Sequence, residues 1–240
     1  MTSLPWLDPN QLWFPPAEEA LDDPDGLLAL GGDLSCERLV LAYRNGIFPW
    51  FSEDQPILWW SPNPRCLLFP KDIHISKSLR RALNRQSLRI TVDEDFQSVI
   101  EACANLRSEG TWITDSMIAA YTRLHRRGIG HSFEAWNEAG QLVGGLYGVA
   151  LGRCFFGESM FSTETNASKI LMVHIARQLD QWGYALMDCQ VESDHLLTMG
   201  ARTRPRREFL DRLKANVDQK PEQASWKMQW QWPAQGQKQE

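Results

Sequence analysis

Apolar side chains along the chain fall into two rhythms, one of three to four residues and one of two, and the switches between them outline the elements. Ser35 can cap a helix that runs through Arg44 and Asn45 and stops at Gly46. Asp93 can cap a second helix carrying Phe96, Val99, Ile100, Cys103 and Leu106 on one face. Thr114 or Asp115 opens a third, with Ile118, Tyr121 and Leu124 before Gly128, and Asn166 opens a longer one reaching Gly183. Between them lie strand-like segments at 87–92, 131–136, 141–149, 153–157 and 184–191, with Asn137-Glu138-Ala139-Gly140 as a short hairpin turn. Helices and strands mixed in this way predict an α+β or mixed α/β fold rather than a doubly wound sheet.

The segment from Gly46 to Arg65, GIFPWFSEDQPILWWSPNPR, breaks both rhythms with five aromatics and four prolines. Prolines remove backbone donors and fix φ, so most of this segment is excluded from helix interior and central strand. Flat rings on a stiff loop suit stacking against a planar ligand, for which a nucleobase is the commonest candidate. On this segment alone, tryptophans filling a core is the commoner outcome.

Composition narrows the class. With 240 residues, 43% hydrophobic and 23% charged, the chain is an ordinary globular protein of one large or two modest domains. The first residues lack a basic and an apolar targeting region, and an apolar run of about 18 residues is absent, which predicts a cytoplasmic protein without a membrane span. Five cysteines, far apart and without a CxxC pair, argue against zinc and against a disulfide framework. The net charge of −5 hides asymmetry: residues 1–40 carry eight acids against Arg38 alone. Residues 71–90 reverse this with Lys71, Lys77, Arg80, Arg81, Arg85 and Arg89 against Asp72. A second basic segment holds Arg202, Arg204, Arg206, Arg207, Arg212 and Lys214. Local basic segments fit contact with a few phosphates, although solvated helix faces carry the same pattern. The tail from Gln219 has seven glutamines in 22 residues, so its polarity predicts loose structure that Trp226, Trp230 and Trp232 could pin to the body.

Most enzyme signatures are missing. GESMF at 157–161 lacks the last glycine of a GxSxG elbow, the histidines never fall at i and i+4, and neither GxxxxGK[ST] nor GxGxxG occurs. Cys189 and His195 could form a nucleophile and base, but two packing residues are the commoner result. What remains is a set of aromatic and polar groups beside turns: Trp50, Trp112, Tyr121, Glu158, Asp188 and Gln190. Asp188 and Gln190 stand at i and i+2 of a predicted strand, which predicts that both line one pocket wall.

At these residues the chain resembles the leucyl/phenylalanyl-tRNA protein transferases. The shared strings are GLLALGGDLS, GIFPWF, ILWWSPNPR, EGTWIT, LVGGLYGVA, GESMFS, NASK and DCQV, spanning roughly residues 20–210. The resemblance implies an enzyme that moves Leu or Phe, with Met a third candidate, from aminoacyl-tRNA to the α-amino group of proteins beginning with Arg or Lys. That peptide bond would mark them for degradation by the N-end rule. It also implies a small domain at 1–64, a domain similar to the GCN5-related N-acetyltransferases at 65–216, a tail at 217–240, no cofactor, no metal and a monomer. An acetyl-CoA-dependent acetyltransferase is the rival, yet Gln141-Leu142-Val143-Gly144-Gly145-Leu146 fails at Leu146 to complete that superfamily's pyrophosphate cradle. A non-catalytic binder of charged tRNA is the other.

Carried onto this sequence, the resemblance implies that Trp50 and Trp112, with Tyr121, hold the 3′-terminal adenosine. Leu146, Phe155, Met172, Ile175 and Leu179 are candidates for the aminoacyl side-chain pocket, the last three recurring on one helical face. Lys77, Arg80, Arg81 and Arg85 are candidates for the tRNA backbone. The ester is already activated and an α-amine titrates near ~8, so positioning and proton handling are what the protein must supply. Asp188 is assigned to orient and deprotonate the amine, Gln190 to polarise or relay, and Glu158 to line the pocket and attract a cationic N-terminus; a purely electrostatic Asp188 would use the same residues.

Overall fold

The computed structural model describes residues 4–106, 112–222 and 225–233. The chain builds two sheets, the smaller from its first sixty residues. There β1 (Trp6–Leu7), β2 (Leu27–Gly31), β4 (Leu58–Trp60) and β3 (Phe48–Pro49) lie side by side in that order. The strand rich in proline thus takes an edge, where a missing N–H costs least. Between β2 and β3 runs helix α1 (Cys36–Arg44), capped by Ser35, whose hydroxyl accepts from the Arg38 N–H as its position predicts.

The larger sheet has the order β11-β5-β10-β9-β8-β7-β6. Its strands are β5 (Arg65–Leu68), β6 (Arg89–Val92), β7 (Gly130–Trp136), β8 (Leu142–Leu151), β9 (Cys154–Ser162), β10 (Leu186–Gln190) and β11 (Arg202–Arg204). Neighbours are antiparallel except β9 and β10, which are parallel and therefore need a crossover, supplied by α5 (Ala167–Gln181). On one face lie α3 (Phe96–Asn105), α4 (Asp115–Arg126) and the core of the small sheet. On the other lie α5 and α2 (Lys77–Leu83). Two helices flank the edge strand β11 in sequence: α6 (Asp194–Thr198) before it and α7 (Arg206–Asn216) after it. Leu7, Trp59, Tyr43 and Phe209 join Tyr121, Tyr147 and Phe156 in one continuous core, so the small sheet is packed against the large one.

The elements follow the apolar rhythm, with the 137–140 hairpin closed by the Asn137 N–H donating to the Gln141 carbonyl. One expectation needs correction. Asp95, not Asp93, caps α3 through the Ser98 N–H; Asp93 sits at φ 56°, where its carboxylate accepts from the Ser132 N–H and pairs with His131 Nδ1. Asn166 opens α5 where expected, standing in the left-handed region and making no side-chain cap bond. The tail is held to the body over residues 225–233, as its tryptophans allow: Trp226 stacks on His131, and Gln178 Oε1 accepts from the N–H groups of Gln229 and Trp230. The remaining tail residues 234–240, and Glu109, Gly110 and Thr111 of EGTWIT, lie outside the described residues. Among the described residues, no helix is long and apolar enough to cross a membrane.

Candidate active site

Parallel pairing of β9 and β10 runs from Cys154↔Leu186 to Phe156↔Asp188 and stops there. At that level each strand carries a bulge. On β9, Tyr147 opposes Ser159 while Gly148 opposes Gly157, which leaves Glu158 as the extra residue. On β10, Asp188 opposes Leu67 while Gln190 opposes Cys66, which leaves Cys189 extra and Gln190 at φ 62°. Gly148 makes the first bulge feasible, because a Cβ there would stand 2.2 Å from the Phe156 carbonyl oxygen. The two strands part beyond the bulges, and Glu158 and Gln190 face each other across the opening.

Glu158 is 8% exposed and holds the hub of the local hydrogen bonds. Tyr121 Oη donates to its Oε2 at 2.9 Å and Gln190 Nε2 to its Oε1 at 2.8 Å. Burial pushes its carboxyl up to about 7, against the bonds donated by Tyr121 and Gln190 and the nearby Tyr43 hydroxyl, and with the help of the Asp188 charge. An ionised carboxylate only accepts, so the amide nitrogen of Gln190 must face it and the amide oxygen must face elsewhere.

Asp188 departs from its expected place. The bulge cancels the two-residue alternation, so it shares no pocket wall with Gln190. It is 0% exposed, and both oxygens are taken by Arg65: Nε to Oδ1 at 2.8 Å and Nη2 to Oδ2 at 2.7 Å. The Gln190 N–H also donates to Oδ1 at 2.9 Å, which fixes the bulge. Arg65 in turn donates to the Gly46 carbonyl and lies between the rings of Phe48 and Phe209, 4.8 and 4.6 Å from their centroids. A carboxylate so enclosed cannot take a proton from a substrate amine; what it can do is hold Gln190 and, through Arg65, the Gly46–Phe48 segment.

Beside the opening is a cavity of ≈ 240 Å³. Leu146, Met160, Met172, Met187 and Leu196 give it apolar walls, and Glu158, Cys189, Ser193 and His195 its polar parts. Leu146 and Met172 stand where the pocket assignment needs them. Phe155, Ile175 and Leu179 do not line it: all three are 0% exposed in the core behind, the commoner fate of a helical apolar stripe. Burial and the Lys169 charge hold the His195 imidazole below its ordinary value, so it is neutral at pH 7.

The aromatic candidates separate. Trp50 is 46% exposed, its ring 5.7 Å from Trp60, whose Nε1 donates to the Trp50 carbonyl. Trp112 is half-buried against the core. Trp59 is wholly buried, with Nε1 donating to the Gly31 carbonyl at 2.9 Å, and is a core residue. Tyr121 is 0% exposed with its one hydrogen committed to Glu158, so it supports the carboxylate and offers nothing to an adenosine. Lys77, Arg80, Arg81 and Arg85 are all exposed on or just beyond α2, Arg80 lying over the Trp232 ring. The second basic segment is partly spent: Arg206 is buried on the Ser61 carbonyl, and Arg204 and Arg212 share Glu208.

Besides the cavity residues Met160, Met187, Ser193 and Leu196, sequence reasoning missed Arg65 and Tyr43. Arg65 carried a signal, since a cation opening the apolar strand RCLLF needs a buried partner. Tyr43, on α1, carried none. Its hydroxyl contacts that of Tyr121.

Comparison with known proteins supplies the family. The profile described as leucyl/phenylalanyl-tRNA protein transferase matches residues 67–214, and that of the family's N-terminal domain matches 32–63. The leucyl/phenylalanyl-tRNA–protein transferase of Hahella chejuensis is 58% identical over 219 residues, 90% of this chain and 93% of its own. That of Pseudomonas fluorescens strain Pf0-1 is 55% identical over 225 residues, 93% and 99%. That of Nitrosomonas europaea is 58% identical over 202, 83% and 85%. Among solved structures, L-PGS from Bacillus licheniformis is similar over 67% of this chain and 52% of its own, with TM-score 0.40 and 12% identity. A GCN5-related N-acetyltransferase from Kribbella flavida follows, over 68% of this chain and 58% of its own, with TM-score 0.38 and 11% identity.

Proposed function

The chain belongs to the leucyl/phenylalanyl-tRNA protein transferase family, and from that premise we propose how its opening performs aminoacyl transfer. It is an aminoacyltransferase that takes Leu or Phe from aminoacyl-tRNA and joins it to a protein N-terminus. The acceptors begin with Arg or Lys, the product is marked for degradation, and the enzyme works as a cytoplasmic monomer. The observation that carries the mechanism is the Glu158–Gln190 bridge across the parted strands.

The leucyl or phenylalanyl side chain enters the cavity of ≈ 240 Å³, where three methionines give walls that adapt to a branched or a flat guest. This sets the ester carbonyl at the mouth beside Gln190. Because Gln190 spends its Nε2 on Glu158, its Oε1 is the acceptor offered to the incoming amine, aligning the lone pair on the carbonyl carbon. The amine attacks, the C–N bond forms, and the tetrahedral oxyanion collapses with cleavage of the bond to the ribose oxygen. The proton released from nitrogen returns to that oxygen. Glu158 contributes its charge to attract the cationic N-terminal Arg or Lys, while the attacking α-amine itself is neutral. Asp188 anchors Gln190 and exchanges no proton.

Incubation with radiolabelled Leu-tRNA and an Arg-initiated peptide is expected to give label in peptide. Label remaining wholly on tRNA, with tight tRNA binding, would favour the non-catalytic binder. Trp50 and Trp112 take the terminal adenosine, and the exposed face of α2 takes the tRNA backbone. Replacing Arg80 and Arg81 together by Ala is expected to weaken tRNA affinity and to reduce the slope of log K against log salt by about 1 to 2. An unchanged slope would remove α2 from the interface.

A further inference from the structure

We propose that Tyr43 is a positioning residue for transfer: its hydroxyl completes a buried relay, Tyr43 to Tyr121 to Glu158, that holds the carboxylate and through it the amide of Gln190. Both tyrosines are 0% exposed, one from α1 and one from α4, so the relay ties the small sheet's helix to the opening in the large sheet. The direction of the relay follows from counting hydrogens. Each phenol has one; that of Tyr121 goes to Glu158 Oε2, so in the contact between the two phenols Tyr43 donates. Burial holds both phenols well above their ordinary value, so they stay donors throughout the working range.

The groups facing Glu158 act in known directions. Tyr121 from α4 and Gln190 from β10 donate to it, Tyr43 from α1 acts on it through Tyr121, and all three favour the charged form. Burial and Asp188 oppose it, with Asp188 itself paired to Arg65 from β5. Tyr147 from β8 packs edge-on to Tyr121, and His195 from α6 lines the same cavity in its neutral form. Removing the Tyr43 hydroxyl takes away stabilisation of the charge and raises the pH at which Glu158 ionises. The ring would remain, packed 5.1 Å from Phe156, so Tyr43→Phe is a conservative change.

The inference rests on the proposed roles of Glu158 and Gln190, and its test separates the two. Single-turnover transfer from Leu-tRNA to an Arg-initiated peptide is measured from pH 5.5 to 9 for the wild type and Tyr43→Phe. Dividing one profile by the other cancels the titration of the peptide amine. The ratio is expected to be about three- to tenfold at the acid end and to fall towards one at the alkaline end. A ratio of one throughout, or a constant loss at every pH, overturns the role of Tyr43. Glu158→Gln supplies the control: if it keeps the wild-type profile, the assignment of Glu158 itself fails, whatever Tyr43→Phe does. If it abolishes transfer or flattens the acid limb, that assignment stands and the Tyr43 ratio alone decides.

Discussion

Replacing Asp188 by asparagine is expected to lower the thermal unfolding midpoint by roughly 6 to 20 °C, because it strands the guanidinium of Arg65 in a dry interior. Both members of the pair are 0% exposed, and removing one partner of such a pair costs about 3–5 kcal/mol, each worth about 2–4 °C at this chain length. Transfer should fall as well, since the carboxylate fixes the N–H of Gln190. The pH profile of the residual activity tells an anchor from a base. An anchor leaves the acid limb in place but moves it to lower pH, because the Asp188 charge is one of the influences raising the Glu158 carboxyl. A base would take the limb away altogether, and that outcome would return Asp188 to the proton transfer. The double replacement Arg65→Met with Asp188→Leu should recover much of the stability and little of the activity. Hydrophobic partners fill the space, but neither holds the Gly46 carbonyl nor the Gln190 N–H.

What the sequence made legible was local. Ser35 and Thr114 cap their helices because a hydroxyl and an N–H three residues on need nothing else. Asp93 and Asp95 were indistinguishable on that criterion; β7 decides, by claiming Asp93 through residues 38 and 39 positions away. The same limit governed the site. The strings around Glu158, Asp188 and Gln190 pointed to residues that lie together in the fold, yet the two-residue alternation failed where the β9 and β10 bulges intervene. Those bulges depend on Gly148 and on a partner strand, and the Arg65–Asp188 pair closes over 123 residues. Helical spacing selected Met172, Ile175 and Leu179 together, but a stripe on one face covers both core and cavity. Only Met172 reaches the cavity wall.

Trp50→Ala is expected to raise the KM for aminoacyl-tRNA about five- to 150-fold, the equivalent of the 1–3 kcal/mol that one stacked base contributes. At saturating tRNA, kcat should change far less, because stacking on a base away from the ester stabilises ground state and transition state alike. The ring is 46% exposed, so its removal should leave the unfolding midpoint near that of the wild type, and Trp50→Phe should restore part of the affinity. Trp59→Ala provides the contrast. That indole is 0% exposed and bonded to the Gly31 carbonyl, so its loss should destabilise the small sheet by about 3–5 kcal/mol and lower activity through folding. Two tryptophans nine positions apart in one proline-rich segment would then fail in different ways, one in affinity and one in stability. Full affinity in Trp50→Ala would assign the Trp50 ring to packing and leave the adenosine to Trp112 alone.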